Sequence, residues 1–164
     1  MKLIPSIVIL LFPAWLQAQD CNLKKTTDPY TKEVRLSTGL IPFKGASLSI
    51  EADSKEIDFF FSMDAKEKCF NDASTLGILY EGTKAKASFR NGGPMNCDGF
   101  FHIIFKNGEL TPTLLQRLTT QKIVSLVFTD SNKALTTLTL SPEEQQKMIT
   151  SGTCLVRDAK TLLK

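Results

Sequence analysis

His102 is the one histidine among 164 residues, so any Cys–His or Ser–His–Asp mechanism must run through it. Such a base has to lie within hydrogen-bond reach of its nucleophile. No Gly-x-Ser-x-Gly elbow, no His-Glu-x-x-His helix and no phosphate-cradling glycine loop accompanies it. His102 therefore reads as a strand residue with a structural or solvent partner. A carboxylate pair across a cleft is the other route to hydrolysis, and Asp58, Asp64, Asp72, Asp98 and Asp130 are available for it. Most of these stand at expected turns or strand ends, where aspartate bonds nearby backbone amides. Asp98, in Asn96-Cys97-Asp98-Gly99, resembles part of a calcium loop, but the alternating oxygen ligands and the closing glutamate are missing. No catalytic, cofactor-binding or metal-binding residue is assigned, and no cofactor is called for.

The four cysteines, Cys21, Cys69, Cys97 and Cys154, are the other reactive set. Zinc sites normally show closely spaced ligand pairs, and no Cys-x-x-Cys or paired histidine is present. An even count in an exported chain favours disulfides. Four cysteines allow three pairings, and spacing does not choose among them, although a tie from Cys154 back to the sheet is favoured.

Export is what the first residues suggest. Met1 and Lys2 supply a basic start, residues 3–16 an apolar stretch, and Gln17 and Ala18 a small-residue exit, the pattern of a secretory signal peptide over 1–18. The run is short for a helical membrane span of roughly 20 apolar residues and carries Pro5 and Pro13. Lipidation is the lesser alternative, since Cys21 follows Asp20 rather than a small residue. Residues 19–164 remain, a length suited to one domain with a real core. The expected location is extracytoplasmic, periplasmic or secreted, with no transmembrane span after cleavage. The formal net charge of the whole sequence is only +3, too small to imply a nucleic-acid partner. The only tryptophan, Trp15, lies inside the leader.

These residues must be held by elements that periodicity reveals. Leu48, Ile50 and Ala52 alternate with polar residues, and after a turn at 53–56 the alternation resumes with Ile57, Phe59, Phe61 and Met63, which predicts an antiparallel hairpin. A second hairpin runs from Leu76, Ile78 and Tyr80 through Glu81 and Gly82 to Thr83, Ala85, Ala87 and Phe89. Its return strand turns Lys84, Lys86, Ser88 and Arg90 the other way. Lys84, Lys86 and Arg90 are thus candidates for contact with an anionic glycan or headgroup, against the plainer reading of a solvated face, and Lys106 joins them if its strand pairs alongside. Asn91, Gly92, Gly93 and Pro94 are turn chemistry. Residues 100–105 are apolar on both faces apart from His102, which predicts a central strand covered on both sides.

Thr111 and Pro112 suit a helix start, with Leu114, Leu115 and Leu118 inward to about Gln121. Residues 123–129 and 134–140 read as a further hairpin. Ser141, Pro142 and Glu144 then announce a C-terminal helix with a capping box, its inward face Gln145, Met148 and Ile149. Leu155, Val156, Ala159 and Leu162 extend that stripe unless Gly152 ends the helix. The expected fold is α+β: a mostly antiparallel sheet of about seven strands with a short helix and a C-terminal helix. A β-sandwich or small barrel with a terminal helix is the alternative.

Cys69-Phe70-Asn71, the turn Glu81-Gly82-Thr83-Lys84, Asn96-Cys97-Asp98-Gly99, Cys154-Leu155 and the stretch Asp28-Pro29-Tyr30-Thr31-Lys32 together resemble small exported proteins common in Bacteroidetes that carry no assigned activity. The resemblance implies an envelope or secreted location and supplies no catalytic residues. The functional expectation is a non-catalytic exported domain, an envelope accessory or binding module whose partner is an envelope component or glycan. A small secreted hydrolase using His102 or a carboxylate pair competes with it, as does a carrier with an apolar pocket lined by Phe59, Phe61, Phe101 or Phe105. Intact mass of the exported protein is expected to show loss of residues 1–18 and no alkylation in denaturant until reduction. An uncut chain with four alkylated thiols would overturn both assignments.

Overall fold

The computed structural model describes residues 21–64, 67–83 and 86–163; the expected leader at 1–18, Lys84 and Ala85 lie outside them. Nine antiparallel strands form two sheets: β1 Lys24–Thr27, β2 Val34–Phe43, β3 Ala46–Ala52, β4 Glu56–Met63, β5 Thr75–Tyr80, β6 Lys86–Arg90, β7 Phe100–Lys106, β8 Ile123–Thr129 and β9 Leu135–Thr139. One sheet has the order β1-β2-β3-β4-β7 and the other β6-β5-β8-β9. The helices are α1, Thr113–Thr120, and α2, Pro142–Ala159. The fold is α+β as expected, with two sheets sharing one core rather than a single sheet, and no closed barrel.

Alternation explains the core. Leu48, Ile50, Ile57, Phe59, Phe61, Phe101 and Ile103 of the first sheet face Leu76, Ile78, Phe89, Leu126 and Phe128 of the second. Phe128 sits edge-on to both Phe61 and Phe101, with ring centroids 5.4 Å apart in each pair. Phe70 packs edge-on against Phe101 at 5.4 Å. Each such pair contributes about 0.5–1.5 kcal/mol beyond the area it buries. Helix α2 lies against β2 and β3, with α1 beside it, so the helices cover the part of the first sheet that the second sheet leaves open.

The α2 start forms as its residues dictate. Ser141 Oγ accepts from Glu144 N at 3.3 Å, and Glu144 Oε2 accepts from Ser141 N at 2.7 Å. Glu144 Oε1 also accepts from Lys44 N at 2.8 Å, which ties the helix to the β2–β3 turn. Burial pushes this carboxyl up, but the hydrogen bonds from Ser141 and Lys44 outweigh it and hold the group below its ordinary value. Gly152 does not end α2. It is buried mid-helix, where an added Cβ would stand 3.0 Å from Thr119 Cγ2, so its small size permits close α1–α2 contact.

Several expectations are corrected. Residues 100–105 are not a central strand: β7 is an edge of the first sheet. Its outward side looks apolar in sequence because loop 91–99, rather than another strand, covers it. Leu114 is exposed and Thr119 takes the inward place, while Pro112 caps α1 without a side-chain bond. Thr83 lies outside β6, which begins at Lys86. Neither β1 nor β2 is marked by alternation: a bulge between Ser37 and Leu40 interrupts the pattern of β2, and the four residues of β1 are all polar and exposed. Thr38 Oγ1 accepts from Ile50 N there at 3.0 Å, and Gly39 adopts a φ of 67°.

Both disulfides form: Cys21–Cys154 and Cys69–Cys97, with no free cysteine among the described residues. The first ties buried Cys154 of α2 to the segment leading into edge strand β1. Two disulfides place the chain in an oxidising, extracytoplasmic environment. No helix among the described residues is long and apolar enough to cross a membrane. Gly152→Val is expected to lower unfolding stability by roughly 1–3 kcal/mol through overpacking against Thr119 and Ile50, read as a lower urea midpoint at unchanged slope.

Candidate functional site

Among the described residues, the sequence-selected chemistry converges on the outer face of the first sheet. Register aligns Ser49 with Phe60 and His102, Glu51 with Asp58 and Ile104, and Ser47 with Ser62 and Phe100. Directly paired residues share a face, so these side chains project away from the core. Phe60, in the middle, stacks at a tilt on His102 with centroids 4.9 Å apart and on Phe100 at 5.2 Å. Three rings form a half-buried row across β4 and β7.

His102 Nδ1 lies 2.8 Å from Asp58 Oδ2. A carboxylate only accepts, so Nδ1 carries the proton and, in the neutral ring, Nε2 is left as an acceptor. Nε2 takes no hydrogen bond from the described residues. Asp58 Oδ1 is buried and likewise receives none. Beside it lies a hollow of about 50 Å³ lined by Arg35, Glu51, Ala52, Asp53, Glu56 and Asp58. Arg35 pairs with Glu51 at 3.4 Å, and the remaining carboxylates leave this corner acidic.

Loop 91–99 positions the imidazole. His102 N donates to Asn91 Oδ1 at 2.9 Å, and His102 O accepts from Gly92 N at 2.9 Å. Asn96 treats Phe100 the same way, accepting from its N at 3.0 Å and donating to its O at 2.9 Å. The loop is anchored through Cys97 to Cys69 and by the reciprocal bridge between Phe70 and Asn96. Gly93 lies on the ring itself: a Cβ there would overlap His102 Cδ2. In sequence Gly93 showed only turn chemistry, and its close approach depends on how the loop folds back.

Other candidates stay apart. Asp130 is buried and accepts from Asn132 N and Ala134 N at 2.9 Å each, a turn role, with Lys68 4.0 Å away. Asp64, Asp72 and Asp98 are exposed outside the strands. The carboxylate that register sets beside Asp58 is Glu51, which sequence reasoning did not select; β3–β4 register was the signal that would have found it. Lys86 and Arg90 are exposed on β6 as expected, but Lys106 lies on β7 opposite Glu56 in the other sheet and does not extend their row. Phe59, Phe61 and Phe101 are fully buried within the core, with Phe105 partly buried against it, so they fill the space an internal ligand would need. No group of metal-binding side chains gathers among the described residues. Comparison with protein-family models, with curated proteins and with solved structures finds no match to this chain.

Removing the imidazole would strand a carboxylate whose second oxygen is already unpaired. His102→Phe is expected to cost about 1–3 kcal/mol, and adding Asp58→Leu to recover most of that loss in a double-mutant cycle read by urea unfolding. Additive costs would show that the pair is not coupled.

Proposed function

We propose that the chain is an exported, non-catalytic binding module of the envelope, periplasmic or secreted, which holds a neutral glycan on the outer face of the first sheet. The observation that carries this reading is the ring row Phe100, Phe60 and His102 with Nε2 turned into an acceptor by Asp58. A sugar ring offers apolar C–H groups to aromatic faces and hydroxyl donors to acceptors, which suits this arrangement. At the corner Glu51 is paired with Arg35 and Asp53 Oδ1 accepts from Lys55 N and Glu56 N, and the surplus of carboxylates there disfavours an anionic ligand. The signal-like start and the resemblance to exported Bacteroidetes proteins agree with it.

A hydrolase has one observation in its favour, the oriented imidazole. The serine that register places on the same row, Ser49, is separated from His102 by Phe60 and two strand spacings, roughly 10 Å. Its hydroxyl is instead near Ser37 Oγ at 3.4 Å and Glu51 Oε1 at 3.5 Å. All four cysteines are bridged and supply no thiolate. An internal carrier is opposed by the filled core.

The test is a titration of isotope-labelled protein with neutral hexose and N-acetylhexosamine oligomers, followed by amide shifts. Shifts are expected at Phe60, Gly93 and His102. Gly93→Ala, which displaces the ring without touching the dyad chemically, should weaken binding about tenfold or more. Absence of shifts on this face at millimolar oligosaccharide, or binding indifferent to Gly93→Ala, would sink the proposal.

A further inference from the structure

Among the described residues, two sheets of five and four strands leave four edges, and three are guarded. Strand β1 carries Lys24 and Lys25, and β6 carries Lys86 and Arg90, charges that discourage edge-to-edge pairing. On β7 the Asn91 and Asn96 side chains and Gly92 N occupy the outward backbone groups of His102 and Phe100. Strand β9 has none of these devices. Leu135, Thr136, Thr137, Leu138 and Thr139 include no charge, no proline and no glycine, and their register with β8 runs without a bulge.

The backbone pattern says which groups are open. Asp130 N donates to Ala134 O and Leu140 N to Val124 O, each at 3.0 Å, at either end of the β8–β9 ladder. Hydrogen-bonded pairs alternate along an antiparallel ladder, so Thr136 and Leu138 bond to β8 while Leu135, Thr137 and Thr139 point N–H and C=O away from it. Leu135, Thr137 and Thr139 are also exposed, Leu135 by 67%.

We infer that β9 is a self-association edge, pairing antiparallel with β9 of a second copy of this chain about a two-fold axis at Thr137. The register is self-complementary. Thr137 faces Thr137, and Leu135 faces Thr139 at each end, so the three outward residues of one copy meet those of the other as hydrogen-bonded pairs. No like charges are set opposite one another within the strand. The turn bearing Lys133 comes alongside Ser141 in the second copy, two residues before Glu143 of α2. The two four-stranded sheets become one sheet of twice the width, and the contact closes as a two-fold pair rather than growing into a fibre. A five-residue strand pair is small beside the roughly 1,200–2,000 Å² of a standard interface, so association is weak and rises with concentration.

Sedimentation equilibrium of the disulfide-intact protein from micromolar to millimolar is the test, with amide exchange measured at both ends of the range. A monomer–dimer equilibrium is expected, with concentration-dependent protection at Leu135, Thr137 and Thr139. Thr137→Lys sets two cations opposite on the axis and should weaken the dimer about tenfold or more while leaving circular dichroism unchanged. Mixing the Thr137→Lys and Thr137→Glu proteins in equal amounts should restore association. Thr137→Pro, which deletes an N–H not used by β8, provides a second variant. A protein monomeric throughout, or a dimer indifferent to these changes, would overturn the inference; a dimer protected at other amides would assign the contact elsewhere and overturn it too.

Discussion

Phe128 wedged edge-on between Phe61 and Phe101 is the contact on which the remaining architecture depends. It joins β8 of one sheet to β4 and β7 of the other. Strands alternate faces, so inward phenylalanines at 59, 61 and 101 oblige residues 58, 60, 100 and 102 to lie on the outer face, half-buried beside loop 91–99. The aromatic core and the aromatic outer row are therefore two sides of the same strands. Moving either strand by one residue would exchange them, placing His102 and Asp58 in the core.

A row of rings on an exposed sheet is useful only if its strands stay flat and fixed, and β7, as an edge, is the least supported of them. Loop 91–99 supplies what a neighbouring strand would have supplied. Asn91 and Asn96 mimic a peptide by offering an amide oxygen, and in Asn96 an amide N–H, to the open backbone. The Cys69–Cys97 bridge and the Phe70–Asn96 pairing hold those side chains at the right height. The loop thus closes an edge and sets the imidazole in one step, since Gly92 and Gly93 must lie close to Ile104 and His102 for the asparagines to reach.

Features governed by near neighbours in the chain were legible beforehand. The capping box at Ser141 and Glu144, the β3–β4 hairpin and the inward Ala87 and Phe89 all follow from propensities and periods that act over a few residues. Strand β2 was hidden because its bulge is stabilised from across the sheet, by Ile50 N on Thr38, rather than from within. Leu114 is exposed while Thr119 is buried against Gly152 of α2, a contact between segments more than thirty residues apart that no local pattern reveals.

Of the candidate site, His102 and Asp58 were each visible as residues, but their meeting was not. They lie 44 positions apart and join only because β7 pairs with β4 in one particular register. Residue types, strand periods, turns and caps, together with the expectation of bridged cysteines, came from the sequence by itself, because each depends on local backbone preference or on composition. Disulfide partners, which strands became edges, the covering of β7 and the orientation of the imidazole were decided by the tertiary structure. Packing two sheets around shared phenylalanines selects those long-range neighbours, and no short stretch of chain contains that information.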